Sequence, residues 1–273
     1  MNNFRWKSDQ YLNNNVNTDK TIAETFILGI SGHERSELQV QSCLNSCTRV
    51  GQPNVSIFWG YDGTDHISIK TPEHLRTNSV MSWIRVLDPR LSITEVACAL
   101  SHIALWVHCI DINRPIVVLE HDSIMLQPFL DMYESNCIEY LGHRYEIDRL
   151  IEYSGVSSYE RLVKLYIEQP QCRPVREHNL PMVGLINRNY LYSMGLHAYA
   201  IDPFISRRLV ARILTDGLVN PIDTLIEVSD FSLIQTGIFA FNSDSSYVSS
   251  IGQYDGTVMA GRKHTLSVPG IAE

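Results

Sequence analysis

One stretch constrains this chain more than any other. Between residues 92 and 112 the apolar positions Ile93, Val96, Ala97, Leu100, Ile103, Ala104, Trp106, Val107 and Ile110 leave a helix almost no polar face. Such a helix has to be largely buried. Its start is written in Ser92 and Glu95, whose spacing is that of a capping box, where hydroxyl and carboxylate satisfy orphan amides reciprocally. Asn113-Arg114-Pro115 breaks it, and Ile116-Val117-Val118-Leu119 follows. That run is apolar at both parities, as expected of a central parallel strand covered on both faces.

The preceding region supplies neighbours for such a strand. Residues 22–30 form an apolar run that ends at Gly29, Ser31 and Gly32 and reads as a strand entering a turn. Residues 34–48 contain neither Gly nor Pro and read as a helix, and Pro53 introduces a second strand that closes at Tyr61-Asp62-Gly63. This β-α-β opening predicts an open α/β sheet. Further on, a helix is expected near 158–168 and a strand at 197–201. A helix should run from Pro203 to Leu214, with Asp202 as its N-cap.

With 273 residues the chain is long enough to build a core without staples. Its net charge of −8 argues against nucleic acid, whose binding rests on clustered Lys and Arg. A small diphosphate remains acceptable, provided a cation stands between it and any carboxylates. No run of consecutive apolar residues reaches the ~20 that a membrane span needs. The first twenty residues hold six asparagines and no apolar core, so they read as a polar lead-in and not as a signal peptide. The six cysteines show neither a CxxC pair nor zinc-like spacing, which fits reduced thiols in a cytoplasmic protein. Cys43 and Cys47, four apart, read as small core residues.

The buried strand delivers Glu120-His121-Asp122 at its C-terminal end, the edge where open α/β sheets bind ligands. Alternation along the strand would point Glu120 and Asp122 one way and His121 the other. Two carboxylates on one side form a hard-oxygen site for Mg²⁺ or Mn²⁺. An acidic pair after a strand also occurs as a solvated turn.

These residues resemble glycosyltransferase family 25, which contains lipopolysaccharide sugar transferases and collagen galactosyltransferases. The match is carried by Glu95, Cys98, Ser101 and His102 on the helix, in the pattern Glu-x-x-Cys-x-x-Ser-His, followed by the strand ending in Glu120-His121-Asp122. Supporting pieces are Ile30 to Arg35, Tyr61-Asp62-Gly63, Gly195 to Tyr199 and Pro221-Ile222-Asp223, in family order over roughly residues 23 to 230. The resemblance implies a GT-A fold, a Rossmann-like and mostly parallel sheet with helices on both faces, binding a UDP-sugar through Mn²⁺ or Mg²⁺. It also implies transfer of a hexose, galactose or glucose, to a glycan or glycolipid hydroxyl with inversion. Asp122 would be the main metal ligand, with Glu120 its partner or a ribose contact. Arg35, Asp62, Ser101 and His102 would surround the nucleotide, and Asp223 would be the base. His197 and Tyr199 would line the acceptor side. The transferase domain would span 21–242, with 130–192 as an acceptor-side insertion and 243–273 as a Ser/Gly-rich segment.

The family's strand ends in Glu-Asp-Asp, and here the middle acid is His121. A non-catalytic relative that keeps the fold is therefore one alternative. A metal-dependent nucleotidyltransferase is another, although Gly29, Ser31 and Gly32 make only a partial phosphate loop. Several candidates also have structural readings. Asp223 would serve equally as a helix cap, and His102 as a buried histidine with one partner. His197 and Tyr199 would serve as core, and Arg262-Lys263-His264 as a solvated basic cluster instead of a clamp on the diphosphate. Arg35 opens a helix, where the macrodipole disfavours a cation.

Overall fold

The computed structural model describes residues 19–76, 80–142, 196–225, 233–234 and 239–242. Most of the expected lead-in, the expected helix near 158–168, the expected insertion from 143 onward, Arg262-Lys263-His264 and the segment 243–273 lie outside the described residues.

The chain opens with β1 (Glu24–Gly29), α1 (Glu34–Val50) and β2 (Val55–Trp59). His33 caps α1 by accepting from the Ser36 amide. Gly51 ends it at φ 75°, a left-handed conformation that glycine adopts without strain. The apolar helix is α2 (Ile93–Ile112), and its capping box is complete: Glu95 N donates to Ser92 Oγ at 3.2 Å and Ser92 N to Glu95 Oε2 at 2.8 Å. Asn113 stops it in the left-handed region at φ 50°. Then come β3 (Ile116–Glu120), β4 (Ser123–Met125), β5 (Ile138–Tyr140), β6 (Ala198–Ile201), α3 (Pro203–Asp216), β7 (Leu233–Ile234) and β8 (Ala240–Asn242). Asp202 caps α3 by accepting from Ile205 N at 2.9 Å, as its place before Pro203 predicts.

The main sheet has the order β2-β1-β3-β6-β5-β7, and β4 pairs with β8 in a separate ribbon. β1 is parallel to β2 and to β3, but β6 runs antiparallel to both β3 and β5. The sheet is therefore mixed, and β3 has only one parallel neighbour. The apolar run Ile116–Leu119 reflects burial of both faces, which side chains record. The direction of its partners leaves no mark on them. β5 belongs to the main sheet, so the first residues of the segment expected to be an insertion form part of the core. Three residues are too few to show a strand period.

Alternate residues of the central strands feed two cores. Phe26, Ile116, Val118, Tyr199 and Ile201 face α2 and α3, packing with Ile103, Trp106, Leu209 and Ile213. Ile27, Val117, Leu119, Ala198 and Ala200 face α1, where Val40 and the free thiols of Cys43 and Cys47 meet them. Helices thus cover both faces. By length and hydropathy α2 is apolar enough to cross a membrane, which a scan for unbroken apolar runs misses. Yet 78% of its apolar window is buried inside the fold, which makes it a core helix.

Because the capping box satisfies two amides at the buried end of this helix, Ser92→Ala should lower the unfolding free energy by about 1 kcal/mol. A urea titration followed by circular dichroism measures it, and an unchanged midpoint would contradict the assignment.

Candidate active site

The site begins where β3 stops. Glu120 is the last strand residue, and His121 and Asp122 form the turn into β4. Side chains alternate only while the backbone is extended, so the pleat that would have put Asp122 on the Glu120 side ends one residue too early. The turn places Asp122 instead. His121 does face away from Glu120's partner on α2, toward β1 and the start of α1. Its imidazole donates to the Leu28 carbonyl and feels the charges of His33 and Arg35. Burial holds its pKa below the ordinary histidine value, with His33 and Arg35 adding to the effect and Glu120 opposing it. At neutral pH a neutral ring therefore stands where the family pattern has a third carboxylate.

Glu120 turns toward α2. Its Oε1 lies 3.2 Å from His102 Nε2, and 27% of its side chain is exposed while that of His102 is fully buried. Behind His102 the chain of contacts continues inward. His102 Nδ1 is 2.8 Å from the Tyr199 hydroxyl, and Trp106 Nε1–H donates to the same oxygen at 3.0 Å. Indole is a donor only, so the Tyr199 oxygen accepts from Trp106 and its proton goes to His102 Nδ1. His102 then carries its own proton on Nε2 and gives it to Glu120. One assignment satisfies every group, and it fixes the ring that holds Glu120 at the crevice. Burial pushes the Glu120 carboxyl up, but the His102 hydrogen bond, with His102, His197 and His121 around it, outweighs this and holds it below the usual range.

Cys98 lies one helical turn before His102, and its thiol shows how many carboxylates converge. Burial raises it well above an ordinary thiol, and the charges of Glu120, Asp223, Glu95 and Asp122 raise it further. Asp223, on a short 3-10 turn (Ile222–Leu225) far along the chain, lies close enough for its charge to act on the same thiol. The acids singled out in the sequence, Glu120, Asp122 and Asp223, share one neighbourhood. Cys98 itself had no role assigned, although its i, i+4 relation to His102 puts both on one helical face.

Other candidates are committed elsewhere. Ser101 is 2% exposed, donates to Ala97 O at 2.8 Å and accepts from Tyr61 N at 2.8 Å, so its hydroxyl ties α2 to the turn after β2. Gly60 makes that approach possible, since a Cβ there would come within 2.5 Å of Ser101 Oγ. Asp62 accepts from Thr64 N at 2.9 Å and pairs with Lys70 at 3.5 Å. Burial pushes its carboxyl up, and the Thr64 hydrogen bonds and Lys70 outweigh that and hold it below the usual range. Arg35 stands close enough to the strand end to repel the His121 imidazolium. Tyr199 is fully buried and reaches the site only through His102, while His197, 6% exposed, meets the Tyr140 hydroxyl at 3.0 Å.

Tyr199→Phe removes the oxygen shared by Trp106 and His102 and leaves two buried groups without it. The expected loss is about 1–3 kcal/mol of stability, read by chemical denaturation, and a neutral substitution would refute the relay.

A family model described as glycosyltransferase family 25 (LPS biosynthesis protein) matches residues 15–226. No curated protein matches the chain. The matched span takes in both strands that flank α2, the helix itself and the 3-10 turn that carries Asp223. The chain belongs to glycosyltransferase family 25.

Proposed function

We propose that this family member transfers a hexose, galactose or glucose, from a UDP-sugar to a hydroxyl of a glycan or glycolipid, with inversion at the anomeric carbon. The observation that carries the reading is the convergence of Glu120, Asp122 and Asp223 on Cys98 at the C-terminal end of β3. That is the edge at which open α/β sheets receive ligands. A parallel β2-β1-β3 half joined to an antiparallel β6 is consistent with a GT-A fold. The family's description as an LPS biosynthesis protein supports a lipid-linked glycan as acceptor.

The oxygen-rich donor set fits a hard divalent cation. Asp122 would hold it, with Glu120 as second ligand or as a contact to the ribose. When bound, Mn²⁺ or Mg²⁺ offsets the negative charge that develops on the departing diphosphate. The residues of the chain supply the rest. His102 keeps Glu120 in one orientation, and Arg35 at the start of α1 offers positive charge to the nucleotide. Asp223 takes the proton of the acceptor hydroxyl as its oxygen bonds to the anomeric carbon and the bond from that carbon to the diphosphate breaks. UDP leaves from the opposite face. A neutral His121, turned toward Leu28, leaves one acid fewer near the donor.

Three outcomes test this. A UDP-sugar at ~100 times its dissociation constant should stabilise the protein by about 2.7 kcal/mol, only with Mn²⁺ or Mg²⁺, and EDTA should stop release of UDP. Donor-dependent stabilisation without any turnover, even with acceptors present, would favour the non-catalytic alternative. Asp122→Asn should abolish turnover while circular dichroism shows the fold retained. Asp223→Asn should lower kcat by about 10²–10⁴-fold, the ordinary worth of a general base, with donor affinity retained. An equal loss of donor binding would make Asp223 a structural residue.

A further inference from the structure

Among the described residues, Cys98, His102 and Glu120 bring one thiol, one imidazole nitrogen and one carboxylate oxygen within 4.8 Å of one another. We propose that these three side chains form a binding site for a borderline transition-metal cation, Zn²⁺ above all, distinct in donor chemistry from the oxygen ligands assigned to the donor.

The ligand set is the argument. Mixed sulfur, nitrogen and oxygen donors suit zinc and disfavour Mg²⁺ or Ca²⁺, which prefer oxygen alone. Tetrahedral zinc with bonds near 2.0–2.3 Å holds its ligand atoms about 3.3–3.6 Å apart. His102 Nε2 and Glu120 Oε1 already stand at 3.2 Å, so closing the site falls to Cys98 alone. Cys98 and His102 sit one turn apart on α2, a helix buried over most of its length, which gives two ligands a rigid base. The third comes from the end of β3, the strand at the middle of the sheet. With 27% of the Glu120 side chain exposed, a cation has a way in and a fourth position for water. Asp122, Asp223 and Glu95 lie near enough to act on Cys98 and make the surroundings attractive to positive charge.

The groups behind the ligands fit as well. Coordination through Nε2 requires the imidazole proton on Nδ1, where the Tyr199 oxygen, 2.8 Å away, accepts it on its second lone pair once its own hydroxyl proton turns away from the ring. Metal-bound histidines are held in this way by a partner on the other nitrogen. Binding thus displaces the proton from Nε2 to Nδ1 and releases the Cys98 thiol proton to solvent. It also engages Glu120, so zinc would draw that carboxylate from the donor side, a consequence that rests on the donor assignment above.

Cobalt(II) titrated into the reduced full-length protein provides the test, without donor or acceptor. We expect one equivalent to produce the near-ultraviolet thiolate-to-cobalt charge-transfer band and the visible bands of a tetrahedral site, both removed by excess Zn²⁺. Cys98→Ser should abolish the charge-transfer band, and Tyr199→Phe should weaken cobalt binding by about tenfold or more. Circular dichroism of each variant separates loss of the site from loss of the fold, and Cys47→Ala, on the other face of the sheet, should leave the band unchanged. Absence of the band in the wild-type protein, or its survival in a folded Cys98→Ser variant, overturns the proposal. The readout involves no sugar, so its failure leaves the transferase reading standing, and failure of donor turnover leaves the cobalt result standing.

Discussion

Everything at the crevice depends on how α2 is buried. The helix packs its apolar side chains against the sheet and α3, and it carries Ser101 and His102 into an interior where water cannot serve them. A buried polar group costs free energy unless it is hydrogen-bonded. Each of these finds its partners in a single place: Ser101 at Tyr61 and Ala97, His102 at Tyr199 and Glu120. The helix therefore cannot slide or rotate without breaking both sets. That lock sets the distance between Cys98, His102 and the end of β3, and so the geometry of the site.

The same arrangement explains how a carboxylate can sit half-buried at the strand end. Burial alone would push Glu120 toward its protonated form, and the imidazole of His102 offsets that penalty. The relay from Trp106 through Tyr199 keeps the imidazole from turning away. His121 illustrates the opposite use of burial. Packed toward Leu28, His33 and Arg35, it stays neutral, so the substitution removes a charge from the strand end without adding one of the other sign. Three acids and a neutral ring still leave the end of β3 rich in negative charge.

Antiparallel β6 has a part in this too. Its register sets Tyr199 on the face where α2 lies, and the residue before the strand, His197, sits beside Tyr140 at the same end as Glu120. β6 is thus part of what builds the support behind the site.

The sequence by itself determined the elements whose causes are local. Ser92 and Glu95 write the start of α2, Asn113 its end, Asp202 and Pro203 the start of α3, and the apolar runs write β1 and β3, because caps and periodicity act within a few residues. The family pattern likewise named Glu120, Asp122, His102 and Asp223. Only the tertiary structure decided what lies between distant segments. The direction of β6 leaves no trace in side chains that are buried either way, and β5 is too short for any period. The turn after Glu120, not the strand's alternation, positions Asp122. Tyr199, legible only as one face of a strand, becomes the buried hinge of a relay, and Cys98 comes within reach of Asp223's charge because packing brings together residues that no spacing connects.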